Sequence, residues 1–175
     1  VGIIAAVLFS QPLSAYVHFN ITERGQSIVV KWQRMPVRWF ANNSGVPGVT
    51  VSDFQATLSR AFATWQAVPT ASISFQFAGF TGAEPSDEDG ISVLGFQSNL
   101  GMDRVLGATG FIVDGTTGGI IRSDIFFNSV FPWSTPAAGD PLRFDLESVA
   151  VHEIGHFLGL GHSALGETEV DSTGD

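Results

Sequence analysis

The sequence predicts an α+β domain in which strands of mixed direction surround two long helices. Three observations point there. Stretches rich in β-branched and aromatic residues, some alternating with period two, recur at 27–32, 37–40, 71–77, 90–97, 105–113 and 120–127. An amphipathic helix interrupts this series after residue 50, and a second, almost wholly apolar helix follows it near Asp145. Strands and helices in that order suit a layered domain rather than an alternating βαβ chain.

The first helix is expected from Ser52 to Val68. Ser52-Asp53-Phe54-Gln55 has the form of a capping box, with Phe54, Leu58, Ala61, Phe62 and Trp65 at helical spacing and Pro69 as the stop. Asp114-Gly115-Thr116-Thr117-Gly118-Gly119 supplies a turn between the strands at 105–113 and 120–127. Residues 131–141 are Pro-rich and read as irregular. From Asp145, Leu146, Val149, Ala150, Glu153 and Phe157 share one helical face, with Ile154 and Leu158 beside it, which implies a helix buried in the middle of the domain.

With 175 residues and 44% hydrophobic residues, the chain can bury a core without staples. The absence of cysteine excludes disulfide scaffolds, thiolate metal sites and cysteine nucleophiles together. The formal charge is −9, and fifteen of the seventeen acidic residues follow residue 80. A nucleic-acid partner is therefore excluded, and a cation in the C-terminal half is favoured.

Residues 1–9 form an apolar run followed by Gln11-Pro12-Leu13-Ser14-Ala15. The run falls short of the roughly 20 residues that span a bilayer. It reads as part of a signal peptide over residues 1–15, with Ala15 as the small residue before the cut. Residues 16–175 would then be one domain with no membrane span, secreted or held in a cell envelope. An exported chain without cysteine suits a bacterial source.

Chemistry concentrates in His152-Glu153-Ile154-Gly155-His156-Phe157-Leu158-Gly159-Leu160-Gly161-His162. His152 and His156 lie four apart, so a helix sends both imidazoles from one face, able to grip one Zn²⁺. His162 is six further on and would point elsewhere if the helix continued. Gly159 tolerates the left-handed backbone that ends a helix, so the chain can swing His162 back to the metal. Three imidazoles leave a fourth tetrahedral position open, the arrangement of a catalytic zinc site. Glu153 is not needed as a ligand. Beside the metal it can take a proton from attacking water and pass it to a leaving amine.

H-E-x-x-H-x-x-G-x-x-H is the metzincin signature, and Ser163 after the third histidine makes the chain resemble a matrixin-type metalloprotease. Ser148-Val149-Ala150-Val151, the helix ending Ala61-Phe62-Ala63-Thr64-Trp65 and the strand through Phe75 follow the same order. The resemblance covers roughly residues 28–163. It implies a zinc endopeptidase with a twisted, five-stranded, mostly parallel sheet, whose antiparallel edge strand lies above the active-site cleft and whose active-site helix lies beneath it. The edge strand would fall at 105–110 and pair with an extended polypeptide by β-augmentation, with Leu106, Gly107, Ala108 and Thr109 touching substrate backbone.

Three features depart from that family. Many matrixins hold a structural zinc with histidines in the fourth and fifth strands, but Leu106-Gly107-Ala108-Thr109 and Ile121-Arg122-Ser123-Asp124 contain none, so no second zinc is expected. Asp114, Asp124 and the acidic run at 87–89 offer hard oxygens for calcium, although that run also reads as a solvated loop. Latency through a propeptide cysteine is excluded within this chain. Met35 and Met102 both precede the motif and thirteen residues follow His162. The domain is thus expected to stop before the methionine turn and C-terminal subdomain that shape the specificity pocket. Two functions follow: a zinc-dependent endopeptidase, or a zinc-holding surface or adhesion module that has lost proteolysis. The nonligand Glu153 favours the first.

Overall fold

A computed structural model describes residues 17–102, 104–135 and 139–162. The expected signal peptide over 1–15, Ser163 and the polar stretch after it lie outside the described residues. An antiparallel hairpin, β1 (Asn20–Glu23) and β2 (Gln26–Val29), opens the described chain. Its turn uses positive φ at Arg24 (50°) and Gly25 (78°), the backbone that tight hairpins require. The sequence reading did not find β1, whose residues are mostly polar and alternate weakly.

Five strands form the main sheet: β3 (Val37–Asn42), β4 (Phe75–Thr81), β5 (Val93–Gln97), β6 (Gly107–Val113) and β7 (Ile120–Asn128). Their order is β4-β3-β5-β7-β6, parallel throughout except for β6, which runs antiparallel to β7 at the edge. The α+β class and the mixed sheet with an antiparallel edge are as the sequence predicts. Central β5 is buried along Val93, Leu94, Gly95 and Phe96, as a strand covered on both faces must be.

α1 (Val51–Gln66) is capped two residues before the expected Ser52. Thr50 is the N-cap: its Oγ1 accepts from the Asp53 N–H at 3.1 Å and donates to the Asp53 carboxylate at 2.7 Å. The threonine and aspartate satisfy each other across the first turn, so the box is Thr50-x-x-Asp53 rather than Ser52-x-x-Gln55. β4 likewise begins later than the alternation at 71–77 suggests. Ala71 still turns back on the Val68 carbonyl, and the Phe75 N–H donates to the Gln66 side chain at 2.7 Å. In the irregular stretch, β8 (Trp133–Ser134) pairs in parallel with β9 (Phe144–Asp145).

α2 (Leu146–Phe157) is capped by Asp145, whose carboxylate accepts from the Ser148 N–H at 3.0 Å. α1 and α2 share the aromatic core with the sheet. Trp39 stacks on Phe62 with 4.7 Å between centroids, and Phe54 meets Phe96 at 4.8 Å and Phe127 edge-on at 5.7 Å. Gly155 lets α2 approach α1 closely, since a Cβ there would stand 3.0 Å from the Trp65 ring. The Trp65 indole then donates to the Val151 carbonyl at 2.8 Å. Arg60 of α1 and Glu147 of α2 pair at 2.7 Å on the surface.

The two candidate caps separate by mutation. Thr50→Ala should cost about 1 kcal/mol of unfolding free energy, because it orphans the Asp53 amide. Ser52→Ala should stay within about 0.5 kcal/mol. Urea midpoints of the two variants check this.

Candidate metal centre

α2 carries His152 and His156 out one side, as their spacing dictates, and then ends so that His162 can return. Leu158 is the C-cap and Gly159 follows at φ +88°. The Gly159 N–H donates to the His156 carbonyl at 2.8 Å, and the Leu160 N–H to the Gly155 carbonyl at 3.1 Å. These two bonds are the Schellman pattern, which needs a left-handed residue at this position. Glycine is required for a second reason, because a Cβ here would collide with the Val30 carbonyl oxygen. The Trp32 indole donates to the Phe157 carbonyl at 2.8 Å, satisfying another helix-end acceptor.

The result is a triangle of nitrogens. His152 Nε2, His156 Nε2 and His162 Nε2 are separated by 3.1, 3.1 and 3.2 Å. A tetrahedral zinc with bonds near 2.0–2.1 Å sets its ligand nitrogens about 3.3 Å apart. The donor set therefore fits that ion closely. The tautomer fits as well: His156 Nδ1 lies 2.7 Å from the Leu160 carbonyl, which can only accept, so Nδ1 carries the hydrogen and Nε2 offers a lone pair. Burial holds the His152 imidazole below its usual pKa, reinforced by His156 and His162 and opposed by Glu153. The neutral, ligating form of His152 is thus favoured. Among the described residues these three side chains form the cluster able to hold a metal.

Glu153 leaves the next position of α2 and is buried at 5% exposure. Its Oε2 accepts from the Thr109 hydroxyl at 2.7 Å. The same hydroxyl lies 3.1 Å from the Glu153 backbone carbonyl. Gly107 of β6 packs against the same side chain, where a Cβ would meet the Glu153 Cγ at 3.3 Å. β6 thus passes directly over Glu153.

Register divides the expected contact stretch on β6. The Asn128 N–H donates to the Leu106 carbonyl at 2.8 Å, so Leu106 and, by alternation, Ala108 turn their amides toward β7. Gly107, Thr109 and Phe111 turn theirs to the open edge, since β6 ends the sheet.

The N-terminal segment closes the other side. The Phe19 N–H donates to the Gly159 carbonyl at 3.0 Å, and the Gly161 N–H to the Val17 carbonyl at 2.7 Å. The Phe19 ring stands 5.3 Å from Phe111 and 6.1 Å from His156. Neither Phe19, Trp32 nor the Thr109 hydroxyl was legible as part of the site, because each depends on pairing between segments remote in sequence.

Four of the carboxylates considered for calcium accept hydrogen bonds from the chain. Asp124 accepts from the Val93 N–H at 2.9 Å and from Arg122 at 2.7 Å, and burial pushes its carboxyl up. Asp114 accepts from the Thr116 and Thr117 amides, which hold its carboxyl down. Asp87 and Asp89 accept from the Glu84 and Ile91 amides. Arg122 also reaches the Asp87 carbonyl and pins that acidic loop to the sheet.

The matrixin family model matches residues 31–168. The chain belongs to the matrixin family. This matrixin is 36% identical over 117 residues to metalloendoproteinase 1 of Glycine max, covering 63% of the chain and 35% of that relative. It is 32% identical over 151 residues to matrix metalloproteinase-16 of Rattus norvegicus, covering 83% of the chain and 24% of that relative. A 24-residue stretch is 79% identical to metalloendoproteinase 2-MMP of Arabidopsis thaliana, or 14% of the chain and 6% of that relative. The matrixin therefore spans between a quarter and about a third of the length of the first two relatives.

Gly159→Ala should cost at least about 2 kcal/mol of stability, from the left-handed backbone and the Val30 collision together. It should also weaken zinc about 10- to 100-fold by displacing His162, read by competition with a chromophoric chelator.

Proposed function

We propose that this chain is the catalytic portion of a zinc-dependent endopeptidase. The observation that carries the reading is the triangle of Nε2 atoms beside a buried glutamate that is not one of its corners. His152, His156 and His162 would hold the ion, leaving its fourth position to water or substrate. Zinc bound there supplies a Lewis acid that polarises the scissile carbonyl and brings the pKa of a water toward neutrality. Glu153 takes the proton of the attacking water and returns it to the departing amine nitrogen. A structural histidine cluster would have no use for a carboxylate buried at its side, since burying one costs free energy that only hydrogen bonds or cations offset.

The substrate is a polypeptide in extended conformation. Leu106, Gly107, Ala108 and Thr109 form the rail on which it lies, with Gly107 and Thr109 supplying free backbone donors and acceptors. Among the described residues no helix is long and apolar enough to cross a membrane. The apolar run at 1–9 with Ala15 behind it supports export, so the work would be done outside the cytosol, in secretion or in a cell envelope.

In the full chain, Glu153→Gln should keep one zinc per molecule while kcat/KM on an unstructured protein substrate falls by about 10²–10⁴. A zinc-loaded Gln variant that cleaves as fast as the parent would remove Glu153 from the mechanism.

A further inference from the structure

We propose that the Thr109 side chain is a positioning residue for Glu153, holding one carboxylate oxygen so that the other is presented to the reacting water. The inference rests on the reading of Glu153 given above. Thr109 has one hydroxyl proton and two acceptors in reach, the Glu153 Oε2 at 2.7 Å and the Glu153 carbonyl at 3.1 Å. The carboxylate oxygen is the nearer of the two, so the hydroxyl donates to it. Oε1 accepts nothing from the described residues and lies above Gly107, where a Cβ would approach it at 3.5 Å. One oxygen is tethered and its neighbour is left free.

The tether also narrows the rotamer choice of a long side chain, so the entropy of fixing it is lost on folding rather than at each turnover. Misplacement by about 1 Å can cost 10²-fold in rate, so a restraint of this kind acts on turnover rather than on binding. Thr109 has a second attachment. Its backbone N–H and C=O face the open edge of β6 while its side chain faces α2. A substrate strand that pairs at this residue is thereby placed in fixed register with the carboxylate that serves it.

Thr109→Val keeps the shape of the side chain and removes only the donor, whereas Thr109→Ser keeps the donor. In the zinc-loaded full chain, Thr109→Val should lower kcat about 10- to 100-fold with KM changed less than about twofold. Thr109→Ser should stay within about threefold of the parent. A readout independent of turnover is the Thr109 hydroxyl proton in the zinc-free protein. It should be resolved by NMR as a slowly exchanging signal and should move upfield in Glu153→Gln, where the acceptor becomes a neutral amide. A Thr109→Val enzyme with parental kcat, or a Thr109→Ser enzyme as slow as Thr109→Val, overturns the proposal. So does a hydroxyl signal indifferent to Glu153→Gln. If Glu153→Gln itself cleaves at the parental rate, the role of Glu153 has failed and the positioning role falls with it; if only the Thr109 variants behave as the parent, the endopeptidase reading stands and this one does not.

Discussion

The whole site turns on the backbone angle at Gly159. With φ at +88° the chain leaves α2 in a direction no L side chain readily accepts, and the third imidazole returns to the first two. Nothing in the pairing of His152 and His156 requires this, since helical periodicity alone sets those two. The third nitrogen makes the difference between a two-point grip and a cage with one open corner. Its position is then secured from several directions, by the Leu160 carbonyl on His156, by Val17 on Gly161 and by Val30 packed against the glycine itself.

The cage sits on a rigid base. α2 has no room to slide, because Gly155 admits the Trp65 ring and the Trp65 indole bonds the Val151 carbonyl. Above, β6 supplies both a bare peptide edge and the Thr109 hydroxyl on Glu153. On the proposed function, alignment of an extended chain and orientation of a base would therefore converge on four or five residues of one edge strand. Small residues there serve both ends: Gly107 admits the Glu153 stem below and leaves the approach from solvent clear.

Much of this was legible in the sequence because it follows from local rules. The i, i+4 histidines, the glycine that ends the helix and the buried odd carboxylate all lie within eleven residues and need no tertiary knowledge. The alternation at 71–77 and the β-branched and aromatic stretches at 90–97, 105–113 and 120–127 marked strands of the sheet. What escaped was decided partly by competition between near neighbours and partly by partners far along the chain. The α1 cap went to Thr50 because Asp53 answers it, a contest that Ser52 and Gln55 lost at close range. The β1 strand had too few apolar residues to announce itself. The sequence marks Thr109 for its backbone alone, and the bond of its hydroxyl to Glu153 shows only where β6 lies over α2, 44 positions away.

The strand around Val17 to Phe19 pairs with the segment from Gly159 to Gly161, almost the full described length later. Such a contact can form only after the intervening sheet and helices have brought the two segments together, because closing so large a loop early would cost entropy that no other contact has yet repaid. That pairing is thus expected late in folding. A partly assembled chain would lack the N-terminal backing behind Gly159 and Gly161, so a firm hold on an ion by all three imidazoles would double as a report that the rest of the molecule is already in place.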